Sequence, residues 1–185
     1  MVEVKQLTQL YPEDLQRLIS GYVSDAKYLP NMIESEDHLT ITLQLVPLVQ
    51  PYTKHYAHPD AETLEHYRRL PQDGFSFAAY DTDKCVGIAL SEARHWHKSL
   101  HVCEFHIAPT HRRRGLGRRL MEVVAEKARG AGMRTMVCET QTTNVPAIRF
   151  YHRLGFSIEG IDLSYYSNDD YLDGEVALFM KKRLT

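Results

Sequence analysis

The segment from Leu100 to Arg129 constrains this chain more than any other. Leu100 to Ala108 reads as a strand, Pro109 ends it, and His111-Arg112-Arg113-Arg114-Gly115-Leu116-Gly117-Arg118-Arg119 leads into a helix. In that helix Leu116, Leu120, Val123, Val124 and Ala128 recur at helical spacing, and Gly130 and Gly132 stop it. A strand that turns through glycines into a helix N-terminus presents unpaired backbone N–H groups and about half a positive charge. Glycine also lets an anion approach the backbone without meeting a Cβ. With Arg112, Arg113, Arg114, Arg118 and Arg119 in the same stretch, the expectation is a site for a polyphosphate or a 3′-phosphate.

Composition keeps that charge local. Lys plus Arg is 22 against Asp plus Glu at 24, a net charge of −2, which argues against a protein wrapped along nucleic acid or an anionic membrane. At 185 residues, 43% hydrophobic and 25% charged, the chain reads as one domain able to bury about 70% of its unfolded surface without a disulfide or metal staple. Cys85, Cys103 and Cys138 are an odd number without regular spacing, as in reduced cytosolic proteins. The first residues, MVEVKQLTQLYPEDLQ, lack the apolar core of a signal peptide. No apolar run reaches the roughly 20 residues that cross a bilayer, so the expected location is cytoplasmic.

The remaining elements follow from periodicity. Val2 to Leu7 reads as a strand, Tyr11-Pro12-Glu13-Asp14-Leu15 opens a helix, Leu39 to Leu48 alternates as a strand until Pro47, and Asp60 to Leu70 reads as a helix. Phe75, Phe77 and Ala79, then Val86, Ile88 and Leu90, alternate about the turn at Asp81 to Lys84 as a hairpin. In the third strand plain alternation places His101, Cys103, Phe105 and Ile107 on one face and Val102, Glu104 and His106 on the other. Thr135, Val137 and Glu139 mark another strand, Asn144 and Pro146 start a helix that Gly155 ends, and two strands close the chain. Val176 to Met180 is apolar on both faces and is expected inside the sheet. The expected fold is α/β, an α+β mixed sheet of about seven strands flanked by about four helices.

The ligand narrows by elimination. A Walker loop needs Lys then Ser or Thr after its second Gly, where Arg118 stands, and a dinucleotide fingerprint needs a third Gly where Leu120 stands. What remains, Arg112-x-x-Gly115-x-Gly117 after a strand, resembles the acyl-CoA pyrophosphate loop of the GCN5-related N-acetyltransferase superfamily. Glu139-Thr140-Gln141-Thr142-Thr143-Asn144-Val145-Pro146-Ala147 and Phe150-Tyr151-His152-Arg153-Leu154-Gly155-Phe156 are similar to its second half. These runs, with Asp83-Lys84-Cys85-Val86-Gly87, are most like the streptothricin N-acetyltransferases.

The resemblance implies a single domain over 1–185: an acceptor-shaping part at 1–70, an acetyl-CoA-binding core at 75–160 and C-terminal strands at 161–185. It implies acetyl-CoA as co-substrate, no metal, and contacts from Ile107, Ala108, Arg112, Arg113, Arg114, Gly115, Leu116, Gly117, Arg118, Asn144, Ala147 and Tyr151. The Ile107 N–H is expected to face the acyl oxygen and Tyr151 to protonate the departing thiolate. Asn144 also reads as an ordinary helix N-cap. The acceptor expected is a primary amine on a small molecule, of streptothricin type. The alternatives are a protein or peptide amine, a polyamine, or a catalytically silent acyl-CoA-binding module. No nucleic acid or membrane partner is expected, and the chain is expected as a monomer or homodimer.

Amine acetylation needs a base, because an alkylammonium of pKa about 10.4 is mostly protonated at pH 7. The streptothricin enzymes carry a Glu-Asp pair where Cys103 and Glu104 stand. His101 shares a face with Cys103 and is one candidate base; Glu104 is the other, if a bulge turns it toward His101. Cys103 as an acetyl acceptor is less favoured than Cys103 as a small apolar residue. His95, His97, His101 and His106 with Cys103 match no closed zinc pattern, parity setting His106 opposite His101. Asp169, Asp170, Asp173 and Glu175 read as a solvated acidic loop, able to attract a cationic amine if it overhangs the acceptor.

Overall fold

The computed structural model describes residues 2–184. They fall into two compact units, one of residues 2–20, 56–138 and 182–184 and the other of residues 21–55 and 139–181. No helix among the described residues is long and apolar enough to cross a membrane.

In the first unit β1 (Val2–Gln6), β4 (Phe77–Asp81), β5 (Lys84–Arg94) and β6 (Ser99–Ile107) pair antiparallel in that order, and β6 pairs parallel with the start of β7 (Thr135–Gln141). Strand β5 is buried from Cys85 to Ser91 because helices cover both of its faces. Helix α3 (Leu116–Gly130) packs on β4, β5 and β6, and α1 (Pro12–Leu18) packs on β5. Leu15, Leu18, Ala78, Ile88 and Leu90 form a closed apolar cluster, with Leu64 and Tyr67 of α2 (Ala61–Arg69) at its edge. Asp60 caps α2 by accepting from the Thr63 N–H at 2.8 Å.

The second unit contains a long two-stranded ribbon, β2 (Tyr22–Ser35) with β3 (His38–Lys54), antiparallel from Tyr22↔Lys54 to Ser35↔His38. Only Leu39 to Leu48 of this ribbon is expected from sequence; Pro30, Pro47 and Pro51 lie within its strands, where a two-stranded ribbon leaves each strand one unbonded edge. Gly21 enters the ribbon at φ +80°, and a Cβ there would lie 1.9 Å from the Lys54 carbonyl oxygen. Helix α4 (Val145–Arg153) starts at Asn144 as predicted, β8 (Ser157–Asp162) pairs antiparallel with β9 (Ala177–Arg183), and a four-residue helix, α5 (Asp170–Asp173), precedes β9. Ala177, Leu178 and Met180 are fully buried, as an apolar run on both faces requires. Among the described residues seven strands remain outside the ribbon, with parallel and antiparallel pairings, and five α-helices accompany them. The mixed α/β class follows the sequence expectation; the ribbon and α5 are the additions.

Leu90 is fully buried in the α1 cluster. Leu90→Ala is expected to lower stability by about 3 kcal/mol, a cavity cost, read as a lower denaturant midpoint at unchanged slope.

Candidate active site

The β5–β6 ladder carries one irregularity that sets the site. Leu90 pairs with Glu104 while Ser91 pairs with Val102, so Cys103 is an extra residue without a partner on β5. A one-residue bulge shifts the alternation of everything beyond it. Residues directly opposite share a face, and the pairs Glu92↔His101, Leu90↔Glu104 and Ile88↔His106 therefore bring His101, Glu104 and His106 to the same face. Plain alternation puts Glu104 and His106 opposite His101; the bulge corrects both, and it also removes the parity argument used against a zinc site. Among the described residues no group of three or more His, Cys, Asp or Glu side chains is arranged to hold a metal ion.

Glu104 sits in a defined polar setting on that face. One carboxylate oxygen accepts from the Tyr67 hydroxyl at 2.9 Å, and the other lies 2.5 Å from His106 Nε2. Tyr67 comes from α2, and the edge of Tyr56 meets the His106 ring with centroids 6.4 Å apart. His101 lies further along, its ring 6.1 Å from that of His97. Its cross-strand neighbour Glu92 is engaged by Arg94 at 2.8 Å and His66 at 3.8 Å. Cys103 is exposed, yet desolvation of its sulfur, then the Glu92 and Glu104 carboxylates, push the thiol up to about 12. At neutral pH it is no thiolate nucleophile.

The other edge of β6 explains Ile107. Pairing with β7 runs from Ser99↔Thr135 to Val102↔Cys138. The Ala108 N–H bonds back to the Val86 carbonyl at 2.9 Å, so by antiparallel alternation the Ile107 N–H points away from β5. Ala108 is thus held by the sheet, and Ile107 offers its donor outward.

The loop after β6 makes its turn on two left-handed residues. Arg113 has φ +60° and Gly115 φ +78°; left-handed residues in such loops turn successive N–H groups into a concave surface. Gly115 caps α3 with no side-chain hydrogen bond, and the first helical bond runs from the Arg119 N–H to the Gly115 carbonyl. The amides of Leu116, Gly117 and Arg118 precede it and are the unpaired donors of a helix start. The five arginines divide. Arg112 donates to the Ile107 carbonyl at 2.9 Å and to Ser20 Oγ at 2.7 Å, Arg118 pairs with Glu122, and Arg119 donates to the Val2 carbonyl. Arg113 and Arg114 are exposed and carry no such partner among the described residues.

The residues predicted from the second half occupy α4 in the second unit. The Asn144 side chain accepts from the Ala147 N–H at 3.2 Å, so Asn144 is the N-cap and Ala147 its partner. Tyr151 is 7% exposed, with its ring tilted against Phe150 and Phe156 at 5.5 and 5.6 Å. The same unit holds a polar cluster that sequence reading passed over. Tyr166 bonds Glu139, the Tyr52 hydroxyl donates to Glu175 at 3.0 Å, and Lys54 pairs with Glu175 while lying 5.7 Å from the Tyr166 ring centre. Desolvation and the Glu139 carboxylate hold the Tyr166 phenol well above its ordinary value. The acidic run is correspondingly not a solvated loop throughout. Asp170 is buried and accepts from the Tyr166 N–H and the Ser167 hydroxyl, and Glu175 is paired. The Glu139-Thr140-Gln141 run and the ribbon prolines flag this region in sequence, but pairing between positions 121 to 123 apart has no local signature.

The acetyltransferase (GNAT) family model matches residues 43–156. The chain belongs to that family. It is 35% identical over 109 residues to a streptothricin acetyltransferase of Streptomyces lavendulae, a match covering 58% of this chain and 57% of that one. This chain therefore spans little more than half the length of that relative in the alignment. The crystal structure of a nourseothricin acetyltransferase superposes with a TM-score of 0.74 at 29% identity, covering 100% of this chain and 99% of the other. A structure from Bacillus anthracis str. Ames in complex with acetyl coenzyme A shares the fold, with a TM-score of 0.73 at 20% identity and 99% coverage of both chains.

The Cys103 thiol, held up at about 12, should alkylate on the order of a thousandfold more slowly than free cysteine at pH 8, because far less of it is thiolate. Peptide mass spectrometry after iodoacetamide treatment measures this, and Cys103→Ser should leave catalysis intact.

Proposed function

We propose that this acetyltransferase moves the acetyl group of acetyl-CoA to a primary amine of a small molecule, of the streptothricin type carried by the relatives' names. The observation that carries the reading is the start of α3: amides at Leu116, Gly117 and Arg118 that precede the first helical bond, left-handed backbone at Arg113 and Gly115, and two exposed arginine side chains with no partner among the described residues. Such a cradle suits the diphosphate of coenzyme A. The outward Ile107 N–H suits the acyl oxygen, on which negative charge grows as the tetrahedral intermediate forms.

In the proposed reaction the amine nitrogen attacks the thioester carbonyl, the C–N bond forms and the C–S bond breaks. Glu104 takes the ammonium proton before attack, with His101 the alternative base; Tyr151 gives a proton to the departing thiolate and is restored by the second proton, which the nitrogen sheds as the amide forms. A phenol near 10 matches a thiol near 8.5 closely enough to transfer as the sulfur leaves. Asn144 and Ala147 start the helix that carries Tyr151, and we assign them to the pantetheine arm. Location in the cytoplasm, where acetyl-CoA and reduced cysteines coexist, belongs to the same proposal.

Acetylation of a streptothricin, followed by mass spectrometry, is the test, with peptide N-termini, lysine and polyamines as the other arms of the panel. Tyr151→Phe should cut kcat by about 10²-fold or more while leaving the KM for acetyl-CoA in place. Gly117→Glu should abolish the calorimetric heat of acetyl-CoA binding, since a side chain and a negative charge would both meet the diphosphate. Retained binding in Gly117→Glu overturns the cradle, and binding without turnover on any amine overturns the enzyme reading.

A further inference from the structure

Tyr67 is given no role by the family resemblance, yet its hydroxyl reaches Glu104 from a different element of the fold. It stands on α2 and donates to Glu104 Oε1 at 2.9 Å, while Oε2 lies 2.5 Å from Nε2 of His106, two residues along β6. A carboxylate only accepts, so the hydrogen in the second contact belongs to the imidazole. The last torsion of a glutamate side chain is broad, and a single donor lets the carboxyl plane swing about it. Donors on both oxygens fix that plane, and each oxygen keeps a lone pair for a further proton. The Glu104 side chain is 20% exposed, a setting in which such contacts are weakly screened.

The hydroxyl is itself held in place. Asp60 caps the start of α2 by accepting from the Thr63 N–H, and Leu64 and Tyr67, neighbours on one helix face, pack against the closed cluster that contains Leu15, Leu18, Ile88 and Leu90. Leu90 is also the residue opposite Glu104 on the β5–β6 ladder. One buried side chain thus locates both the helix that brings the donor and the strand position that brings the carboxylate. The residue before Tyr67, His66, reaches Glu92 at 3.8 Å, so α2 lies along the face that carries His101 and Glu104.

We propose that Tyr67 is a positioning residue for the transfer: its hydroxyl orients the Glu104 carboxyl toward the acceptor ammonium and exchanges no proton with it. This rests on the reading of Glu104 as the base. Before the nitrogen attacks, an N–H bond of the ammonium breaks and an O–H bond forms on Glu104, at a lone pair that the two donors leave open. After the product departs, that proton passes to solvent and the carboxylate is restored. Tyr67 and His106 keep their own hydrogens throughout. The gain is geometric, since a base that must find its angle at each turnover loses the advantage of being held in place.

The test is a double-mutant cycle on kcat, read from the acetylated amine. Tyr67→Phe removes the hydroxyl and keeps the ring that packs on the cluster. In the wild-type background it should lower kcat about tenfold and leave the KM for acetyl-CoA unchanged, a loss of the size that misplacing a held group costs. In Glu104→Gln, where the base is gone, the same substitution should change kcat by no more than about twofold, because residues that act as a unit are not additive. A purely structural role for Tyr67 predicts the same loss in both backgrounds. Glu104→Asp supplies a second variant that leaves Tyr67 untouched: it withdraws the carboxylate from the hydroxyl by one methylene and should lose at least as much kcat as Tyr67→Phe. Wild-type kcat in Tyr67→Phe or in Glu104→Asp, or an equal loss in both backgrounds of the cycle, overturns the positioning role, and a slow Glu104→Gln then leaves the base reading standing. Wild-type kcat in Glu104→Gln overturns the base reading and this proposal with it.

Discussion

One extra residue in a strand organises the polar face of this protein. Without the bulge at Cys103, β6 would alternate plainly, Glu104 and His106 would point to the face opposite His101, and Tyr67 of α2 would have no carboxylate to meet. The bulge is made tolerable by its place. β5 on one side is clamped between α1 and α3. The same irregularity thus coincides with the two features the proposed reaction uses, a carboxylate turned toward apolar and aromatic neighbours and an amide at Ile107 pointing away from β5.

The arginine-rich loop shows a division of labour that charge counting hides. Arg112 ties the loop back to the end of β6 and to Ser20, Arg119 holds the first strand, and His111 bonds Asp81 at 3.1 Å. These contacts fix the loop so that the left-handed backbone at Arg113, which costs roughly 1–2 kcal/mol for a residue with a Cβ, is retained. A bidentate, planar side chain spans two acceptors at Arg112, a task Lys would do poorly.

Much of the molecule is legible in the sequence where the signal is local. The helices at 61–69, 116–130 and 145–153 are each announced by spacing and by a cap or glycine, and Asn144 serves as the cap its position suggests. Elements built on distant partners are not. The β2–β3 ribbon carries three prolines and is exposed along much of both strands, so alternation marks only Leu39 to Leu48 of it. A bulge adds one residue without changing composition, which is why the facing of Glu104 required the fold. The pairing of Lys54 with Glu175 closes across 121 positions, a distance over which no periodicity reaches.

Helix α3 begins differently from its neighbours. Asp60 and Asn144 close the starts of α2 and α4 with their own side chains, whereas Gly115 offers none to α3. An uncapped start leaves donors that water must satisfy, at a cost of about 1 kcal/mol relative to a good cap. A phosphate seated on those donors would complete the helix as a foreign capping group. On the proposed acetyl-CoA reading, folding and nucleotide concentration are linked by mass action, and the well-supplied chain resists heat and proteolysis better than the starved one.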